Sequence, residues 1–151
     1  MLLDTQAEFS SAQAIVDDGI STNVIDLTLG QSGLTLTDIG TGTPVYLVIA
    51  VTTSVVRAAG ACNVTFSLES DSTANLATSA TVHWTSSAIG KATLVAGYRV
   101  CCIALPLGKT YERYLGVRYA YDNAADTAAY DAFLTLTPDN ANLYADALSI
   151  A

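Results

Sequence analysis

Charge is scarce in this chain. Lys, Arg, Asp and Glu make up 13% of its 151 residues, about half the share usual in soluble domains. Lys and Arg number 6 against 14 Asp and Glu, for a formal net charge of −8. A duplex-binding protein displaces phosphate counterions with clustered cations. No such cluster occurs here, so direct nucleic-acid binding is not expected. Long apolar runs are missing too. None approaches the ~18–20 residues that span a bilayer, so no membrane partner is expected. The N-terminus carries Asp4 and Glu8 where a secretion signal would carry Lys or Arg, and it lacks an apolar stretch. Synthesis and assembly in a cytoplasm are the expectation.

Histidine and cysteine are nearly absent. The one histidine, His83, must carry every His-dependent mechanism. Ser86 and Ser87 lie too close to it on one strand to form a nucleophile–base pair, and no G-x-S-x-G elbow occurs. Three cysteines (Cys62, Cys101, Cys102) are an odd count and no disulfide framework. They read as small buried hydrophobes. One His and three scattered Cys do not make a zinc site.

What the chain has in quantity is alternation. Residues 61–70 read A-C-N-V-T-F-S-L-E-S, with Cys62, Val64, Phe66 and Leu68 on one side and Asn63, Thr65, Ser67 and Glu69 on the other. Successive strand side chains point to opposite faces, so this is a strand with one apolar and one polar face, as in antiparallel sheets. Burial of the four apolar side chains would contribute up to ~6–10 kcal/mol. Further strands are expected at 23–29, 34–37, 45–53, 81–85, 98–105, 112–122 and 130–137, separated by Gly, Pro, Ser and Asn loops. Residues 45–53 are apolar at nearly every position, which predicts a strand that is central or covered on both sides. In 81–85, Val82 and Trp84 are expected on one face and His83 on the other.

About eight short antiparallel strands without helical patterns predict an all-β, two-sheet, jelly-roll-like sandwich, with a closed barrel as the runner-up. The expectation is one domain over 1–151: an N-terminal arm at 1–19 with at most one helical turn, a sandwich at 20–137, and a tail at 138–151. In the tail, Leu143 with Ala147 and Tyr144 with Leu148 suit a helix, and an extended arm reads equally well.

Other candidate chemistry is thin. The acidic stretches Glu69-Ser70-Asp71 and Asp122–Asp126 lack an EF-hand pattern and its turn glycine. Paired carboxylates for glycoside cleavage remain a third-ranked reading, because strands bring distant residues together. Eight tyrosines would serve a sugar-stacking platform, but half-buried tyrosine is ordinary core and rim material in β proteins. Asn63-Val64-Thr65 matches a glycosylation triplet that means little without secretion. No cofactor, metal or catalytic residue is assigned, and the chain reads as no enzyme.

Several stretches together resemble the cement (decoration) proteins of short-tailed bacteriophages of the Bordetella-phage type. They are Leu3-Asp4-Thr5, Phe9-Ser10, Gln13-Ala14, Ser21-Thr22, Val24-Ile25-Asp26-Leu27, Asp38-Ile39-Gly40 and Gly42-x-Pro44-x-Tyr46-Leu47. Leu94–Val100, Arg113-Tyr114-Leu115 and Asn142-x-Tyr144-Ala145 complete the set. Cys101-Cys102 and a glycine inside a strand, Gly116, depart from the pattern. The resemblance implies a jelly-roll subunit, paired as a homodimer, on the outer surface of an icosahedral head assembled in the host cytoplasm. There it would bridge copies of the major capsid protein and resist the pressure of packaged DNA. On this reading Leu2, Leu3 and Phe9 of the arm and Leu143, Tyr144, Leu148 and Ile150 of the tail make capsid or dimer contacts, or else pack on their own subunit. The alternative is a glycan- or receptor-binding domain of a phage tail fibre or adhesin.

Overall fold

In the computed structural model, residues 5–28, 39, 42–77 and 79–138 are described. Among the described residues, a 3-10 turn at Thr5–Ala7 is followed by ten strands: β1 (Glu8–Ala14), β2 (Gly19–Ile20), β3 (Ile25–Asp26), β4 (Tyr46–Val56), β5 (Asn63–Asp71), β6 (Thr81–Thr85), β7 (Ile89–Gly90), β8 (Arg99–Ala104), β9 (Tyr114–Tyr121) and β10 (Thr127–Thr135). They form two antiparallel sheets. Sheet A runs β1-β10-β4-β8 and sheet B runs β2-β9-β5-β6, with the two-residue strands β3 and β7 pairing with β9 and β5. The chain changes sheet at most connections, and each sheet interleaves early with late strands. That is the order of a jelly roll.

The sheets face each other across one core. Cys62, Val64, Phe66 and Leu68 of β5 are at most 1% exposed, as the alternation predicts. They meet Leu47, Ile49 and Val51 of β4, Leu115, Val117 and Tyr119 of β9, and Tyr130 and Ala132 of β10. Three rings order the centre: Tyr119 stacks on Tyr130 at 5.1 Å, and Phe66 meets both edge-on at 5.8 and 5.3 Å. Edge-to-face and offset stacks suit the aromatic quadrupole.

Several expectations change on contact with the structure. The N-terminal segment, read as an arm, contains strand β1, which pairs with β10 at the edge of sheet A. Its alternation is broken because two register shifts interrupt the ladder between Glu8 and Gln13. At the second, Ala12 adopts φ +43 and its N–H is taken up by the Asp131 carboxylate at 2.6 Å. Of the strand expected at 23–29, the described residues 23–28 contribute only the pair Ile25–Asp26, and the strand expected at 34–37 lies outside the described residues. In β6, one extra residue separates the partners of Leu68 and Glu69, which are Trp84 and Val82. That bulge turns Trp84 toward the core while Val82 lies outward, 54% exposed, so the two do not share a face.

The outer face of β5 is not open to water either. Ser67, Glu69 and Asp71 are all buried. Gly116, opposite Glu69 on β9, explains the covering. A Cβ there would lie 2.6 Å from Leu76 Cδ1 and 3.1 Å from Val24 Cγ1. The strand carries glycine because two connections pass directly over it.

Candidate functional site

Of the side chains proposed for partner contacts, Phe9 is in the structure and has no exposed surface: it belongs to the subunit's own core. Leu2, Leu3, Leu143, Tyr144, Leu148 and Ile150 lie outside the described residues. Phe9 is held there by its neighbour. The Tyr119 hydroxyl reaches Ser10 Oγ at 2.8 Å, and Ser10 donates onward to Gln13 Oε1 at 2.6 Å. A second hydroxyl relay runs from Tyr130 to Tyr121 (2.7 Å) and on to the Ile15 carbonyl (2.7 Å). Burial pushes the phenols of Tyr119 and Tyr130 up, and that of Tyr121 up to about 12, so they act as hydrogen-bonding struts. Four of the eight tyrosines are thus spoken for internally, since Tyr111 is also buried and donates to the Pro106 carbonyl.

The polar clusters likewise serve the fold. Glu69, with its side chain 6% exposed, pairs with Arg118 at 2.7 Å, accepts from Ser67 Oγ at 2.7 Å, and leaves Arg118 to donate to the Leu76 carbonyl. The group ties the strand pair to the connection above Gly116. Asp26 and Arg113 form a two-pronged pair (3.1 and 2.8 Å) that fastens β3 to β9. Hydrogen bonds from Arg113 and then Thr28 hold the Asp26 carboxyl well below the usual carboxylate range.

One constellation deserves a chemical test. His83 Nε2 lies 2.7 Å from Ser70 Oγ, and the imidazole packs on Tyr111 at 4.3 Å. Ser70 accepts from the Glu112 backbone N–H at 2.9 Å, which leaves its own proton free for a neutral imidazole. Burial, with Lys109 adding to it, pushes His83 below its ordinary value, and Glu112 opposes. The pair has the atoms of a nucleophile and base, but Ser70 has no exposed surface. A nucleophile must meet its substrate, so this cluster clamps β5, β6 and the approach to β9 together. Among the described residues no three His, Cys, Asp or Glu side chains gather at metal-binding distance, and no helix is long and apolar enough to cross a membrane.

What the subunit leaves outside is aliphatic. The exposed large apolar residues among those described are Val16, Val56, Val82, Val95, Leu107 and Leu136. Leu107 and Leu136 follow the ends of β8 and β10, where Tyr46 pairs with both Ala104 and Thr135. Val56 and Val95 sit at the opposite end of β4, beside the Val55–Leu94 backbone bond. Sequence reasoning did not single these positions out: Val16, Val95, Leu107 and Leu136 lie outside the strands and Val56 ends β4, so no alternation marks them, while Val82 read as sharing a face with Trp84.

The fold and its surface define a jelly-roll subunit whose polar groups mostly serve the fold, with exposed aliphatic side chains at both ends of β4. The chain belongs to the Bbp16 family, whose family model matches residues 9–134. The family's name points to a protein of Bordetella phage. No curated protein matches the chain.

Proposed function

We propose that this protein is a structural virion component: a capsid cement protein that binds the outer surface of the phage head and ties major capsid protein subunits together. Membership of the Bbp16 family over residues 9–134 carries the reading. The inward use of Ser70, His83, Glu69 and the tyrosines supports it, because a subunit that acts by binding needs rigidity and contact surface rather than a reactive cleft. The mechanism is mechanical. Packaged DNA strains the joints between capsomers, and a protein bound across a joint adds buried area that must be separated before the joint opens. Stable interfaces bury ~1,200–2,000 Å², and a paired subunit engaging two capsid sites gains further because its second contact is effectively intramolecular.

The test is to add the purified protein to heads lacking it. Co-sedimentation, density on the head exterior at capsomer joints, and a higher temperature of DNA release are expected. Heads that bind none of it and release DNA at an unchanged temperature would overturn the proposal. The tail-fibre reading requires an aromatic or polar platform for sugar, and the exposed large apolar side chains among the described residues are all aliphatic.

A further inference from the structure

The connection between β5 and β6 opens on a carboxylate whose surroundings are incomplete. Asp71 ends β5 and is 1% exposed. Its Oδ1 accepts from the Ser72 hydroxyl and the Thr73 N–H, each at 3.2 Å. Its Oδ2 is shut off from solvent and has no hydrogen-bond partner. Burial pushes the carboxyl up, but the hydrogen bonds from Thr73 and Ser72 outweigh it and hold the group below its ordinary value. Asp71 is therefore ionised at neutral pH. The ion pairs among the described residues are Arg113–Asp26 and Arg118–Glu69, and neither includes it. A buried charge with an unmet oxygen is costly until a cation or donor reaches it.

We propose that residues 71–77 hold a calcium ion, with the Asp71 carboxylate, Thr73 Oγ1 and Asn75 Oδ1 among its ligands. Oxygen-bearing side chains at 71, 73 and 75 fall on the first, third and fifth positions of a calcium loop. The structure draws them together: Thr73 Oγ1 is 2.8 Å from Asn75 Oδ1, and the Thr73 N–H is bound to Asp71. EF-hand loops turn sharply at the sixth position, on glycine. Leu76 occupies that position here and adopts φ +49, a left-handed conformation. Its side chain lies over Gly116 and its carbonyl accepts from Arg118, which hold the turn in place. Thr73 and Leu76 stand where the usual loop has Asp or Asn and Gly, so the sequence pattern alone passes over it. An all-oxygen donor set of irregular geometry suits calcium rather than magnesium, which demands a near-ideal octahedron. The twelfth position, where a glutamate binds through both oxygens, is Val82. With one formal charge in place of several, the affinity falls at the weak end, a Kd of about 1 mM. Calcium fastens the connection that lies over Gly116, a role separate from the one proposed on the head.

The test is urea unfolding of the full chain in calcium chloride, against sodium chloride of matched ionic strength. At a calcium concentration about ten times the Kd, the unfolding constant should fall about tenfold. Terbium, a calcium substitute that emits when a nearby tyrosine is excited, should be sensitised by Tyr114, which lies opposite Asp71 on β9, and calcium should displace it. Asp71→Asn should abolish both effects, while Asp126→Asn, which removes a carboxylate elsewhere, should keep them. Asp71 is buried, so a second variant is made at an exposed ligand: Asn75→Ala should weaken terbium binding by about tenfold. Equal stability in calcium and sodium chloride overturns the proposal. So do calcium stabilisation and terbium emission that survive undiminished in Asp71→Asn and Asn75→Ala, which would assign the ion to the diffuse charge of an acidic surface.

Discussion

Replacing Phe9 by alanine separates two fates for the N-terminal segment. The ring has no exposed surface, and truncating a buried Phe to Ala costs ~3–5 kcal/mol, the larger values arising where surroundings cannot collapse into the cavity. Collapse is obstructed here. Strand β1 is tied to β10 by its ladder, to Tyr119 through Ser10, and to Asp131 through the Ala12 N–H. The upper half of the range is therefore expected, about 4–5 kcal/mol. At ~2–4 °C per kcal/mol for a chain of this size, the melting temperature of the isolated subunit should fall by roughly 8–20 °C. Urea unfolding of dilute protein is the assay, with an unchanged m-value showing that the native state stays compact. Since whole domains are stable by only ~5–15 kcal/mol, Phe9→Leu serves as the milder variant, expected to cost about 1–1.5 kcal/mol. If Phe9 instead served a partner, both substitutions would leave the isolated subunit within ~0.5 kcal/mol of wild type and weaken only binding. That result would refute the assignment.

Other perturbations read other parts of the frame. Arg118→Met strands the buried Glu69 carboxylate and should cost about 2–4 kcal/mol, below the ~3–5 for a fully buried pair because Arg118 is one-third exposed. The double variant with Glu69→Gln should recover at least ~1 kcal/mol of it in urea unfolding, and strict additivity would refute the coupling. Gly116→Val drives a side chain into Leu76 and Val24 and should cost at least ~2 kcal/mol; a neutral result would mean the connection lifts away freely. His83 has a folded-state value below its ordinary 6.5, so between the two the unfolded chain binds more protons and stability falls as pH drops below about 6.5. A His83→Gln variant should lose that segment of the pH–stability curve. A further decline is expected below about pH 4, where Asp26 and Asp122, both held low chiefly by hydrogen bonds, from Arg113 and from Asn63 respectively, take up protons; Asp26→Asn with Asp122→Asn should flatten it.

The sheet core was legible because period-two burial leaves a mark at every second residue. Residues 61–70 and 45–53 announced β5 and β4, and the structure follows with β4 central between β10 and β8. Where the ladder breaks, the mark vanishes. Strand β1 has two register shifts in seven residues, so F-S-S-A-Q-A shows no alternation although Phe9 is fully buried. The bulge at His83 inverts the facing of Val82 relative to Trp84 for the same reason. Gly116 looked like a departure since its cause is not in its own strand. The space it vacates is filled by Leu76 and Val24, forty or more positions away, and no local pattern carries that information. The burial of Ser67 and Glu69 was hidden likewise, because a polar residue at an outward position reads as solvated until something is seen to lie over it.

The placement of exposed apolar groups bears on the proposed grip on a shell. Sheet B's outer face is occupied by Leu76, Val24 and the Glu69–Arg118 pair, and sheet A's holds a cluster of Phe133, Val48 and Cys102. Of the aliphatic residues that remain in water among those described, Val82 lies on the outer side of β6, while four sit at the ends of β4: Leu107 and Leu136 beside its start, Val56 and Val95 beside its finish. Strand β4 spans 11 residues, about 36 Å at ~3.3 Å per residue, so the two groups lie at opposite poles of one stiff body. Stiffness matters because a bridge transmits load only if its span does not yield. The paired hydroxyls, the stacked rings and the buried ion pair all lock strands to one another between the poles. On the proposed cement role, a compact contact at each end of a rigid rod would resist separation of what it joins, where a single broad patch would merely decorate one side.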